Sequence, residues 1–479
     1  MALKQAGVRT QHKDYDELLP VWQMCADVEK GQRAIRKGRE KYLKKNGAET
    51  EADYEARLCR SDFFNAFYRT ISGLVGMAFR KDPALILPAS MESYADNIDL
   101  EGRTLFSLAK DACEDVLQYG RFGLMVDHPP MPDNVSAISM AIAERMGLRP
   151  SLKTYDAQCI INWRFAKVLN ARVLVRVVLK EEADVSTDEF EEATEDRYRV
   201  LDLDETGQYR QRVYRIDKQG KDELVDVVYP VMNGKRLNYI PFVLIGANGM
   251  GGDCEEPPLI DLADANVAHY QVNSDIRVAM HFGVPTFVVT GYTKGTEDAD
   301  IVIGSRSALI FPDPQAKAFF AEPEGQMLPQ MQAALKEIEQ RMAVLGARMI
   351  ADETKQAETL GATQIKRAGE NSVMAAIVIS VSDALTWALQ IMADWSGASG
   401  EVLFEISREF NPLGLSAQDL TAIFAGVQQG IISDREAFEL LQRGDMIAGE
   451  KDYELHQEEI AAEPPVAMPV VAPEQQQAA

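Results

Sequence analysis

The spacing of apolar and polar positions changes several times along this chain, and each change marks an element. Over residues 12–45 and again over 50–80 the spacing is helical. In the second stretch Phe63, Phe67, Ile71 and Val75 fall four apart, and Asp82-Pro83 ends it. A third helix is predicted from Thr104 to Tyr119, stopped at Gly120. A short strand, Leu124–Val126, follows Gly123, and 129–134 reads as a loop. From residue 150 onward the period drops to two. Segments 170–180, 197–203, 209–216, 224–229 and 240–245 alternate or run β-branched, which predicts strands of an antiparallel sheet. The acidic insert 181–196, with few apolar residues, reads as an exposed loop.

The helical period returns at Leu259. Pro257 and Pro258 favour a start there, and Gly283 and Pro285 stop the helix after Phe282. Short strands are predicted at 284–292, 300–303, 308–311 and 317–321. A second long helix covers 327–350, on which Leu335, Ile338, Met342, Leu345 and Met349 fall at alternating spacings of three and four. That spacing makes a coiled-coil-like seam. Helix, β insert and helix together predict an antiparallel pair of rods capped by β structure at one end. Beyond them lie a polar segment at 352–368, a helix over 370–395, and a strand at 402–406. Two short helices follow over 415–441, with Ser433 as an N-cap ahead of Glu436. The tail from Ala461 is Pro, Ala, Val and Gln and is predicted to be disordered. The fold class is α+β.

Length and charge narrow the reading. With 479 residues the chain has room for two to four domains. Its formal charge of −24 argues against a basic surface that grips nucleic acid. Lys30 to Lys45 locally reverses that sign, with eight basic residues and one acid. It reads either as a solvated helix face or as a patch facing phosphate or an acidic neighbour. No signal peptide is legible, and the longest apolar run, around Val373–Val381, is too short for a membrane span. The five scattered cysteines fit reduced thiols.

Catalytic and metal chemistry is not legible. His269 and His281 stand twelve apart on one predicted helix, not at the i,i+4 spacing of a helical metal pair. Asp261 and Asp264 read as first-turn acids that complement the helix dipole. The glycine-rich 248–253 is followed by Cys254-Glu-Glu-Pro-Pro258, which suits a hinge and not a phosphate cradle. No catalytic, cofactor-binding or metal-binding residue is assigned. The inventory is that of a structural protein.

An ordered set of strings then carries a resemblance. Tyr42-Leu43, Arg60-Ser61-Asp62-Phe63, Tyr119–Pro130, Arg149–Phe165, Pro257–Gly291 and Ile301–Ser305 resemble, in that order, one branch of the portal proteins of tailed bacteriophages; a weaker match extends past residue 350. Where the family's next helix opens with a Glu-Thr-Ala-type start, this chain has Glu358-Thr359-Leu360-Gly361. The resemblance implies a portal fold: a wing (1–256), a first stem helix (257–282), a clip (283–325) and a second stem helix (326–351). A tunnel loop (352–368), a wing helix with helical crown (369–460) and a disordered tail (461–479) complete it. It also implies a homo-oligomer, dodecameric in the virion. Double-stranded DNA would pass through it during packaging and ejection. The terminase motor, head–tail adaptor proteins, and capsid and scaffold proteins would dock on it, and no membrane is involved. Lys355, Gln356, Lys366 and Arg367 are the candidate DNA-facing residues, and Leu335, Ile338, Met342, Leu345 and Met349 the stem seam. Another virion structural protein or a phage-encoded DNA-processing enzyme are the alternatives.

Overall fold

The computed structural model describes residues 7–129, 147–168, 170–283, 286–290, 317–321, 327–345 and 360–408. Further on it describes 421, 423, 425–427, 432–443, 452–454 and 456–457. Over 360–372 the description is of backbone alone. The chain divides into two compact units, Met1–Arg408 and Glu409–Ala479.

The first unit is mixed helix and sheet, as its class predicts. It begins with α1 (Lys13–Lys30), α2 (Gln32–Lys37), α3 (Glu51–Arg60) and α4 (Ala66–Ala78). The continuous helix predicted over 50–80 is therefore broken. Ser61 takes extended backbone at the end of α3, and the Asn65 side chain accepts from Tyr68 N–H at the start of α4. Two polar residues able to bond the backbone locally thus outweigh the four-residue apolar spacing across the break. Next comes α5 (Leu105–Tyr119), capped by Thr104 and closed at Gly120, whose φ of 71° is left-handed. A side chain at Gly120 would meet the carbonyl oxygens of Glu255 and Glu256 at 2.9 and 3.0 Å, so both the turn and the space there require glycine.

Three strands, β2 (Arg121–Asp127), β3 (Ser151–Asp156) and β11 (Phe242–Gly246), form one antiparallel sheet with β2 central. The strand predicted at 240–245 belongs here and not with its sequence neighbours. Those form a five-stranded meander of β4 (Ile160–Val168), β5 (Ala171–Asp184), β6 (Thr194–Leu203), β7 (Tyr209–Ile216) and β8 (Asp222–Val228). The acidic insert is a loop only at its centre, and both of its ends are strand. Glu181 pairs with Arg197 and Asp184 with Thr194, so β5 and β6 run on as a hairpin to a tip at 185–193. Cross-strand Arg199 supplies the charge that makes a strand out of an acidic stretch, since its guanidinium donates to Glu181 at 2.7 Å. Two short hairpin strands, β9 (Val231–Met232) and β10 (Lys235–Arg236), lie between β8 and β11.

Further along come α6 (Ile260–Phe282), a hairpin of β12 (Thr286–Thr290) and β13 (Lys317–Ala321), α7 (Met327–Leu345) and α8 (Leu360–Ser396). The predicted strands at 300–303 and 308–311 lie outside the described residues. Helix α8 starts ten residues before the predicted 370, so the second half of 352–368 is helical and not loop. Its portion Val373–Ser396 is long and apolar enough to cross a membrane by length and composition, contrary to the sequence reading. That portion packs against α5, β2 and β11, and its Ile377, Val378, Val381, Leu385, Leu389 and Met392 are buried. Finally β14 (Leu403–Glu405) pairs with β1 (Ala84–Ile86), tying the end of this unit to its first third.

In the second unit, α9 (Asp434–Arg443) carries the predicted cap. Glu436 N–H donates to Ser433 Oγ at 3.2 Å, and Ser433 N–H to the Glu436 carboxylate at 3.0 Å. Phe438 packs against the rings of Tyr453 and His456.

Candidate functional site

The candidate site is the pair α6–α7 with the hairpin between them, together with the helices it stands on. His269 of α6 and Glu339 of α7 meet at 3.3 Å, the imidazole Nε2–H donating to the carboxylate. The two residues stand about equally far from the β12–β13 end, so the helices are antiparallel, as predicted.

The lower two-thirds of α6 is its foot. Leu262, Ala263, Ala265, Asn266, His269, Tyr270, Ser274 and Ile276 are buried, and α6 contacts α1, α3 and α4. Asn266 is wholly buried. Its Oδ1 accepts from Ala66 N–H at 3.0 Å and Phe67 N–H at 3.1 Å, and its Nδ2 donates to Phe64 carbonyl at 2.6 Å. A residue two hundred positions away thus satisfies the first two orphan donors of α4, while the local Asn65 satisfies Tyr68 N–H. Around it, Gln271 donates to Tyr42 carbonyl, Asp62 N–H donates to Asn273, and Arg277 pairs with Asp62. The strings around 42–43 and 60–63 are those that α6 binds.

Above Ile276 the apolar side chains lose their cover. Met280, Phe282, Phe319, Phe320 and Met327 are exposed, Phe282 at 71%. On α7, Leu335, Ile338 and Leu345 are half-buried and Met342 is 2% exposed. Leu335, Ile338, Met342 and Leu345 fall on one face of α7; Met349 lies outside the described residues. Of the DNA-facing candidates, Lys355 and Gln356 also lie outside. Lys366 and Arg367 fall on α8, where the backbone alone is described.

Half of the basic residues in the stretch 30–45 are tied up within the chain. Arg39 pairs with Glu51 and Glu55, Lys41 with Asp27 and Lys45 with Glu51, while Arg36 donates to the carbonyls of Cys59 and Ser61. This arrangement fits the solvated-face reading better than a phosphate patch. The glycine-rich 248–253 forms a turn closed by Gly246 N–H on Gly249 carbonyl. It is fastened by Arg172 on Asp253 and Arg121 on Cys254, so its ends are anchored more firmly than a free hinge would be.

Charge is concentrated in two further places that the sequence did not single out. Asp202, 1% exposed, accepts from both Arg210 and Arg212. On α5, burial and the nearby Asp156, Asp111, Glu114 and Glu29 hold the Asp115 carboxyl well above the ordinary carboxylate range. Among the described residues no cluster of three or more His, Cys, Asp or Glu is placed to hold a metal ion. Asp264 carries a raised carboxyl, from burial and then from Asp261.

Residues 258–396, which span α6 to α8, match a family model described as a domain of unknown function, DUF4055. No curated protein matches the chain. Among solved structures it is similar to a chain in the neck of an empty gene transfer agent (GTA) particle computed with C6 symmetry, at 12% identity and TM-score 0.40, covering 80% of this chain and 92% of that one. It is similar to a chain of the virion of a native GTA particle at 12% identity and TM-score 0.40, covering 85% and 98%. A chain in the neck of a native GTA particle computed with C12 symmetry gives 14% identity and TM-score 0.38, covering 78% and 89%.

Proposed function

We propose that this chain is a subunit of a portal-type ring in a tailed-phage or phage-like particle, a conduit for double-stranded DNA and not an enzyme. The observation that carries the reading is the α6–hairpin–α7 unit. Its foot is stitched into the helical base, and its upper part leaves Met280, Phe282, Phe319, Phe320 and Met327 uncovered. A lone antiparallel pair has a second face to bury, and copies of itself around a ring would bury it. Of the ordered portal-like strings, Pro257–Gly291 covers α6 and β12, and Tyr42-Leu43 and Arg60–Phe63 lie in the part that holds α6. The charge of −24 suits a duct, because each phosphate neutralised by Lys or Arg adds affinity and many such contacts would trap the duplex.

In this reading the subunit forms a homododecamer at the capsid vertex. The hairpin end faces the terminase motor and later the adaptor proteins, and Lys355, Gln356, Lys366 and Arg367 supply transient contacts to passing DNA. The test is native mass spectrometry and negative-stain imaging of the full chain at high concentration and moderate salt. Closed rings are the expected result, and monomers alone would overturn the proposal. Divalent-metal-dependent cleavage of DNA by the same preparation would favour the enzyme alternative.

A further inference from the structure

The five-stranded meander carries a cationic pair that its own fold leaves unsatisfied. Arg164 on β4 and Arg176 on β5 are directly opposite one another, on the same face, and both are exposed. Like charges opposed across strands repel. Neither makes an ion pair or hydrogen bond to another described residue. The acid that faces Arg176 on the next strand is Asp202, whose carboxylate is already held by Arg210 and Arg212. Beside the pair lies a groove of about 420 Å³ where the N-terminal segment crosses the sheet, lined by Val8, Val178, Val200 and Tyr214 together with Arg176, Arg212 and Asp222. Asp222 is taken up by Val8 N–H and Arg9, and Arg212 by Asp202, which leaves Arg176 as the uncompensated charge beside its apolar side chains.

The complementary shape is on the same chain. The β5–β6 hairpin ends in a tip at 185–193 that holds Asp188, Glu189, Glu191 and Glu192 and no Lys or Arg. In their midst Phe190 is 88% exposed, more than any other large apolar residue described. The tip has a defined form: Phe190 N–H donates to Asp188 Oδ1 at 2.8 Å and Ala193 N–H to Ser186 Oγ at 2.9 Å. It cannot reach its own groove. From Arg176 to the start of the tip the strand is extended, and at ~3.3 Å per residue the separation is about 30 Å.

We propose that the acidic hairpin tip of one copy docks on the sheet face of the next, with Phe190 in the groove and its flanking carboxylates on Arg164 and Arg176. The contact joins two different surfaces, so it is heterologous and propagates from copy to copy until a ring closes. It rests on the ring reading and adds to the α6–α7 face a second interface of separate chemistry.

The experiment uses the full chain and three variants: Phe190→Ala, Arg164→Glu with Arg176→Glu, and the latter combined with Asp188→Lys and Glu189→Lys. Assembly is followed by sedimentation velocity across a concentration series at ~0.1 M salt, where exposed charges are only partly screened. Thermal melts of dilute monomer serve as the folding control, because every substituted side chain is exposed. The first two variants are expected to assemble only at a concentration about tenfold or more above that of the unmodified chain, and the charge swap is expected to restore assembly. Unchanged assembly of the first two variants, or a swap that restores nothing, would overturn the docking while leaving the ring reading intact. An unmodified chain that never assembles would defeat both. If the arginine variant assembles normally but loses retention on a DNA column, the pair serves phosphate and the proposal fails.

Discussion

Replacing Asn266 with alanine removes the only described side chain that reaches the first two amides of α4. The residue is wholly buried, so water does not take its place. Phe67 N–H loses its acceptor, while Ala66 N–H and the Phe64 carbonyl lose one partner each and keep one another at 3.0 Å. Asn65 cannot compensate, because its Oδ1 is engaged by Tyr68 N–H. A buried donor left without a partner costs about 1–3 kcal/mol, and the carbonyl, with two lone pairs, less. The expected loss is therefore about 1–3 kcal/mol, a substantial share of the ~5–15 kcal/mol that holds a typical domain together. Equilibrium urea unfolding gives the total, and hydrogen exchange should show protection falling first at Phe67. The internal control is Asn273→Ala, which removes one half-exposed contact to Asp62 N–H at 3.2 Å and is expected to cost less than about 1 kcal/mol. A loss below ~0.5 kcal/mol for Asn266→Ala, or unchanged exchange at the start of α4, would refute the reasoning.

Other substitutions probe other parts of the argument. Asp115→Asn should raise the urea midpoint at pH 7. Its carboxyl has a folded-state pKa above the unfolded value, so the stability tied to its protonation is present below the ordinary Asp range and is lost as pH rises through the raised value. The gain should vanish in acid below that ordinary range, and a gain independent of pH would contradict the assignment. Asp202→Asn leaves Arg210 and Arg212 facing a neutral amide and is expected to cost about 3–5 kcal/mol by urea unfolding. A loss under ~1 kcal/mol would mean that solvent replaces the carboxylate. Met342→Ala empties the one buried side chain described on α7 and should cost about 2–4 kcal/mol in the α6–α7 pair. Leu345→Asp, at a half-buried position, should impair ring formation more than monomer folding. Loss of all soluble monomer would place that face in the intramolecular core instead.

What the sequence made legible was local. The spacing of Leu335, Ile338, Met342 and Leu345 predicts a helix face, and α7 has it. Pro257-Pro258 and Gly283 bracket α6, and Thr104, Gly120 and Ser433 mark helix ends where they occur. Less legible was whatever depends on a distant partner. The acidic stretch 181–184 is strand where Arg197 lies opposite Glu181 and Arg199, on the same strand, donates to that carboxylate. The break between α3 and α4 is held open by Asn266, which no window of residues around Phe64 contains. The early start of α8 at Leu360 was hidden because polar residues dominate 352–368, and the backbone is helical from Leu360 nonetheless. An asparagine inside an otherwise apolar helix face was the available signal for the foot, since a buried amide must find partners.

The continuity of α8 bears on how force would travel. Its 37 residues run without interruption from Leu360 to Ser396, about 55 Å at 1.5 Å per residue. From Met374 onward the helix is clamped between α5 and the central β2–β11 pair, while β14 closes on it through Phe404 N–H to Thr386 Oγ1 at 3.0 Å. A rod anchored along half its length behaves as a lever. A push delivered near Leu360 arrives at Trp395, whose indole N–H holds Val231 carbonyl at 2.9 Å, as a tilt of the whole shaft. The β9–β10 hairpin would then move with whatever displaces the far end, and a loop in the same place would have absorbed it.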